Sequence, residues 1–322
     1  MIYDSRLEAS THALPDALSI VIPTLDGAHW LEGCLASLRQ GTDQPHEIIV
    51  ADDGSTDGSH AVCDRFGATF VTTSRARTGF AATANRGIRQ ATGRWILLLN
   101  NDTEVPPTTI TALRNAFVRY PDAAMIAPLV LSLRDRETVD SAGMLLFPDA
   151  TARPRWHGDN AAQLELVEEE VLVPSGAAAV FRSDWLGRVG LLDEGMTSYL
   201  EDIDLGLRVR RRGGTAIFVP SAVVFHWFSG TTGALSPTKA RLIERNHATV
   251  AARHLPLPLL IALPIWTAVR WAVLVRTVLG SRSTQQEGGA GPSVPLTAMA
   301  IIRGTREGMA RRPRAIRERR RL

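Results

Sequence analysis

Two cysteines in 322 residues exclude a disulfide framework, and Cys34 and Cys63 lack the spacing of a metal site. Both fall in helix-like stretches and read as small buried apolar residues in a reducing compartment. No GxGxxG follows the first apolar run and no GxxxxGK[ST] occurs anywhere, so the usual dinucleotide and P-loop devices for holding phosphate are missing. The first residues carry neither a basic start nor a long apolar core, and no signal peptide is expected. A net basic charge is absent from the body of the chain. Residues 301–322 hold nine Arg against Glu307 and Glu318, a local +7, which leaves −4 of the net +3 for the rest. The pI of 9.3 therefore does not describe a nucleic-acid-binding core.

What is present is a 45% apolar chain long enough for one large domain or two. It centres on residues 93–105, GRWILLLNNDTEV. The unbroken apolar run 95–99 suits a strand buried on both faces of a parallel sheet. Polar residues at the carboxyl end of such a strand lie where open α/β sheets bind ligands. Asp102 then offers a hard oxygen suited to Mg²⁺ or Mn²⁺ bridging to a substrate diphosphate.

Strands are expected at 18–23, 47–51, 68–72, 95–99 and 123–131, with helices at 28–39, 79–91 and 108–119 between them. This alternation implies right-handed βαβ units and a mostly parallel sheet with helices on both faces. Further on, 142–147 and 171–181 read as strands. A helix runs from about Tyr199 to Arg212, where Gly213 and Gly214 stop it. Two short strands, 215–219 and 222–227, are split by Pro220.

Four segments stand in order: VADDGSTDGS at 50–59, GFAATANRGIRQATGRWILLLNNDTEV at 79–105, YLEDIDLGLRVRRRG at 199–213 and VPSAVVFHW at 219–227. Together, over about residues 18–235, they resemble family 2 glycosyltransferases of the GT-A fold, in the rhamnosyltransferase-like and galactofuranosyltransferase-like branch. The resemblance implies a nucleoside-diphosphate sugar donor, a glycan or lipid-linked glycan acceptor, and inversion at the anomeric carbon. It places Asp52 and Asp53 on the base and ribose, with Asp53 favoured, and Pro23 and Thr24 as a wall for the base. Asp26 stands where the family usually has Asn. Gly79 to Asn85 matches the donor loop. The DxD motif falls on Asn100, Asn101 and Asp102, of which only the last is an acid, and His226 matches a metal-ligand histidine. Asp202, preceded by Glu201, falls on the general base of the ED motif. The sugar is expected to be rhamnose or another deoxy or furanose sugar.

Each residue also has a plainer role. Glu201 and Asp202 could favour a helix N-terminus, Asp52 and Asp53 could end a strand, and His226 could be a core histidine. Asp204 is expected to be structural, and Arg208 to Arg212 a solvated helix end. Two rival readings remain. A sugar nucleotidylyltransferase would need a Gly-rich basic loop where this chain has TLDGAHW. A catalytically degenerate GT-A scaffold or glycan-binding protein is permitted by the incomplete DxD.

The chain divides by expectation into an extension (1–17), a glycosyltransferase domain (18–235), a membrane-associated helical segment (236–280), and a linker with an Arg-rich tail (281–322). Residues 255–280 are long enough to span a bilayer, but Pro256, Pro258, Pro264, Arg270 and Arg276 favour a helix or helix pair lying in the surface. Trp266 and Trp271 suit an interface. A soluble helical appendage or a dimer contact is the alternative. The tail would attract anionic lipid rather than nucleic acid. The expected location is the cytoplasmic face of the cell membrane.

Overall fold

The computed structural model describes residues 17–73, 77–227, 236–281 and 294–319. Most of the 1–17 extension and most of the 281–295 linker lie outside these residues. The chain divides into two compact units, 1–145 with 153–232, and 146–152 with 233–321.

In the first unit the elements run β1 Leu18–Thr24, α1 Ala28–Arg39, β2 Glu47–Asp52, α2 Ser59–Phe66, β3 Thr69–Val71, α3 Phe80–Ile88, β4 Trp95–Leu99, β5 Thr103–Glu104, α4 Thr109–Arg119 and β6 Met125–Ser132. Then come β7 Val139–Ser141, β8 Met144–Leu146, β9 Ala152–Pro154, β10 Glu169–Val171, β11 Ala178–Arg182, α5 Ser183–Val189, α6 Glu201–Arg211 and β12 Ala216–His226. The main sheet has the order β10-β12-β6-β11-β4-β1-β2-β3, with β5 on β12 and β7 on β6.

β3, β2, β1 and β4 are parallel, and β6 and β12 are parallel to each other. β11 runs against both β4 and β6, which makes the sheet mixed rather than all parallel. All seven residues of β1 and all five of β4 are buried, because helices cover both faces of these strands. In α1 the buried Leu31, Cys34, Leu35 and Leu38 follow helical spacing, and Trp95 stacks on Phe117 of α4 at 4.3 Å. Both cysteines are free and buried, and burial pushes the Cys34 thiol up to about 12.

Several expected elements differ. The run 171–181 is two strands, β10 and β11, separated by the Pro174–Gly176 turn. The break expected at Pro220 is absent. β12 continues through it, because a bulge between Val219 and Val223 takes up the residues that cannot pair. β7 has no counterpart among the expected strands.

The second unit contains α7 Pro237–His254, α8 Leu257–Ser281 and α9 Val294–Arg319. The Arg-rich segment is therefore a helix, not a tail. α9 packs closely on α7 at Gly308, where a Cβ would lie 2.7 Å from that of Ala248. Arg241 pairs with Glu307, and Arg253 with Glu318. Arg270 of α8 is turned to Glu244 and Asp149, so its charge is met within the unit. Among the described residues no helix is long and apolar enough to cross a membrane.

Candidate active site

The chain leaves β1 toward β2 and β3, then returns to β4 on the other side of β1. The strand order therefore reverses between β1 and β4, and the carboxyl ends of strands at such a switch point are where open α/β sheets bind ligands. Pro23 and Thr24 end β1, Asp52 and Asp53 end β2, and Asn100, Asn101 and Asp102 follow β4.

The acids after β2 hold the loops that form this edge. Asp52 Oδ2 accepts hydrogen bonds from the Gly54 amide at 2.9 Å and the Thr72 hydroxyl at 2.8 Å. Asp53 Oδ1 accepts from the Thr78 amide at 2.7 Å, and Oδ2 from the Gly79 amide at 2.9 Å. Asn101 donates to Thr24 Oγ1 at 3.0 Å, tying the ends of β4 and β1 together. Asn85 is spent elsewhere. Its amide donates to the Leu192 carbonyl and Glu194, and its oxygen accepts from the Leu192 amide. The geometry of Asn85 is that of a clamp between α3 and the 192–194 loop.

Asp102 and His226 meet at this edge. β12 runs parallel to β6 and ends at His226, which pairs with Thr103 of β5. That register sets His226 Nε2 3.4 Å from Asp102 Oδ1 and 3.5 Å from the Asn100 amide nitrogen. The other ring nitrogen, Nδ1, lies 2.7 Å from Asp140 Oδ2. All three side chains are buried. Burial alone would lower the imidazole's pKa, but the Asp102 and Asp140 carboxylates overcome it and hold it up at about 9.

Among the described residues no group of three or more His, Cys, Asp or Glu is placed to hold an ion. The chain supplies at most one carboxylate oxygen and one imidazole nitrogen. That set fits Mg²⁺ or Mn²⁺, which bind through one or two protein ligands and complete an octahedron with substrate phosphate and water.

Asp202 lies in the first turn of α6. Its Oδ1 accepts from the Ile203 amide and its Oδ2 from the Gly176 amide, both at 2.8 Å. The Gly176 turn leads into β11, whose antiparallel pairing with β4 brings Ala178 opposite Leu99. The Ala177 carbonyl accepts from the Asn100 amide at 3.0 Å, so Asp202 is tied to the same sheet edge as Asp102. Burial raises the Asp202 carboxyl above its usual value, against the pull of the two amides. Burial also pushes Glu201 well up, aided by the charge of Asp202. Beneath them Asp204, fully buried, pairs with Arg208 at 2.9 Å. Arg208 also donates to the carbonyls of Val189, Gly190 and Leu191. Arg208 is thus a buried brace, not part of a solvated helix end.

Two outcomes follow from this geometry. A Cβ on Gly176 would lie 2.8 Å from Asp202 Oδ2 and 3.1 Å from its carboxyl carbon. Gly176→Ala therefore moves the carboxylate and is expected to lower kcat by roughly 10- to 100-fold, the scale of a misplacement near 1 Å. Steady-state kinetics should show donor KM little changed. Were Asp202 the base, it would work deprotonated, and activity would fall as pH drops through its pKa. Because burial raises Asp202, the acidic limb of kcat/KM is expected above the 3.8 of an ordinary aspartate. A limb at or below that value would assign the titration to another group.

Asp140 escapes sequence reasoning. It lies outside the four segments, and its partner His226 is 86 residues away.

A sheet of this order, with acids gathered at its switch point, matches the GT-A fold of solved glycosyltransferases. The solved mannosyltransferase PcManGT from Pyrobaculum calidifontis, in complex with GDP-Man and Mn²⁺, shares this fold. Its TM-score is 0.54 at 18% identity, over 96% of this chain and 92% of that one. S. aureus TarS 1–349 in complex with UDP-GlcNAc gives a TM-score of 0.54 at 14% identity, over 77% and 71%. Residues 19–190 match Glycosyl transferase family 2. An N-acetylglucosaminyl-diphospho-decaprenol L-rhamnosyltransferase of Mycobacterium tuberculosis is 31% identical over 242 residues, 68% of this chain and 79% of that protein. The chain belongs to glycosyltransferase family 2, in its rhamnosyltransferase-like branch.

Proposed function

We propose that the protein is an inverting, metal-dependent glycosyltransferase that moves a sugar from a nucleoside-diphosphate donor to a lipid-linked glycan at the cytoplasmic face of the membrane. The convergence of Asp102 and His226 on the sheet's switch point carries this reading. A divalent ion held there would neutralise charge on the departing diphosphate. Asp202 takes the proton of the acceptor hydroxyl as that oxygen attacks the anomeric carbon. Each Asp202 oxygen accepts one backbone hydrogen bond among the contacts above, which leaves lone pairs for the proton. A single displacement needs no protein nucleophile and inverts the centre. The turns held by Asp52 and Asp53, with Pro23 and Thr24, shape the nucleotide's side of the crevice.

The donor sugar proposed is rhamnose or another deoxy or furanose sugar, in keeping with the named activity of the mycobacterial relative. The acceptor's lipid is supported by that same name and by the second unit. On α8, Leu257, Ile261, Ile265, Trp266 and Val269 are exposed. On α9, the exposed Ile302, Met309 and Ile316 recur every seven residues beside Arg303, Arg306, Arg314 and Arg317. An apolar stripe edged by arginine fits the surface of an anionic bilayer. The full chain is expected to sediment with anionic vesicles and not with zwitterionic ones at 0.15 M salt. Equal binding to neither would remove the membrane from this reading.

Thermal unfolding with UDP, dTDP or GDP, each with and without Mn²⁺, tests the donor site. A nucleotide at about 100 times its Kd adds roughly 2.7 kcal/mol. One base should stabilise the protein in a Mn²⁺-dependent way. No response to any of them would favour the degenerate scaffold.

A further inference from the structure

We infer that Asp140 is a positioning residue for the site: it fixes the ring orientation of His226, so that Nε2 is the ring nitrogen turned to Asp102 and the one that would ligate an ion. The inference rests on the proposed metal role of Asp102 and His226.

Three observations carry it. The first is the contact itself, 2.7 Å between His226 Nδ1 and Asp140 Oδ2. A ligating imidazole that donates Nδ1–H to a carboxylate has Nε2 as its ligand atom, and such a partner also raises the basicity of the ring. A ring turned over by 180° would lose this bond and place carbon where Nε2 now faces Asp102.

The second is the backbone that aims Asp140. β7 pairs antiparallel with β6, yet Val130 lies opposite Ser141 and Leu131 opposite Val139. Asp140 is the extra residue of this bulge. A regular ladder would pair it with Leu131 and set its side chain by the pleat. Bulges recur beside active sites because they re-aim one side chain without breaking the sheet. Here the re-aimed side chain is a carboxylate that is buried beside a buried histidine.

The third is support from behind. His157 Nδ1 lies 2.9 Å from the Asp140 carbonyl oxygen and 3.4 Å from its Oδ1. Asp140 is thus held from its backbone and from its side chain before it meets His226. A residue that served only to terminate a strand would need neither the bulge nor the buried partner.

The test measures metal rather than turnover. In the full-length protein, Mn²⁺ binding is titrated by electron paramagnetic resonance in the presence of the nucleotide that stabilises it. Asp140→Asn and Asp140→Ala should weaken Mn²⁺ by about 10- to 100-fold, the usual cost of losing such a partner. Their melting without metal should fall, most in Asp140→Ala, because the buried imidazole loses its partner, while their metal-free nucleotide binding should stay near wild type. Unchanged Mn²⁺ affinity in both variants overturns the role of Asp140 while leaving Asp102 and His226 as ligands. Absence of Mn²⁺ binding in the wild type overturns the metal reading itself, and the inference with it. Should the variants fail to fold, ¹⁵N NMR of wild-type His226 with Mg²⁺ and nucleotide bound decides the matter. Protonated Nδ1 with unprotonated Nε2 is expected, and the opposite tautomer overturns the inference.

Discussion

Replacing Asp202 by asparagine is expected to lower kcat by about 10²- to 10⁴-fold, the usual contribution of a positioned base. Nucleotide binding should be retained, because the donor crevice lies at β1, β2 and β4 and Asp202 reaches it only through the Gly176 turn. The asparagine oxygen can still accept one of the two backbone amides, so α6 keeps its start. A role confined to capping predicts something different. It would cost on the order of 1 kcal/mol of stability, with activity lost only as the protein unfolds. Kinetics and melting of Asp202→Asn, measured on the same preparation, separate the two. Full turnover in a folded variant would remove Asp202 from the chemistry.

The second large effect is expected at Asp102 and His226. Asp102→Ala and His226→Ala should each remove the Mn²⁺-dependent part of nucleotide stabilisation and lower kcat/KM by roughly two to three orders of magnitude, in line with several kcal/mol of charge stabilisation from a bound metal. The double variant should be little worse than either single one, since the two side chains act at one point 3.4 Å apart. Additive losses would mean that they serve separate functions. His226→Ala also leaves Asp140 buried without its imidazole partner, so its melting temperature should fall more than that of Asp102→Ala. Calorimetric melting checks this order.

The two sites differ in how visible they are from the chain alone. Elements with one dominant local signal are legible. α1 spans the 28–39 expected from its apolar spacing, and β1 and β4 are continuous apolar runs. Elements that depend on distant pairing are not. Pro220 breaks a local strand pattern, yet β12 absorbs it in a bulge because β6 pairs on both sides. The 171–181 run looks continuous, but its Pro174–Gly176 turn is where Asp202 docks. α9 is arginine-rich, a composition that suggests a loose tail until Gly308 is seen to admit the α7 backbone.

The candidate site divides along the same line. Asp102 and Asp202 stand at a strand end and a helix start, places where sequence patterns already point to exposed polar chemistry. Asp140 has no such local mark, since only the β6–β7 bulge and the register of β12 bring it to His226. Arg208 looks solvated by composition, and only the fold shows that three carbonyls and Asp204 claim it.

The anomeric configuration of the product tests the central claim most directly. With the donor identified by nucleotide stabilisation, proton NMR of the first-formed glycoside reports it without reference to any variant. A single displacement promoted by Asp202 predicts a configuration opposite to that of the donor. Retention would require a second displacement or a front-face route, and would contradict Asp202 as the base of a one-step transfer.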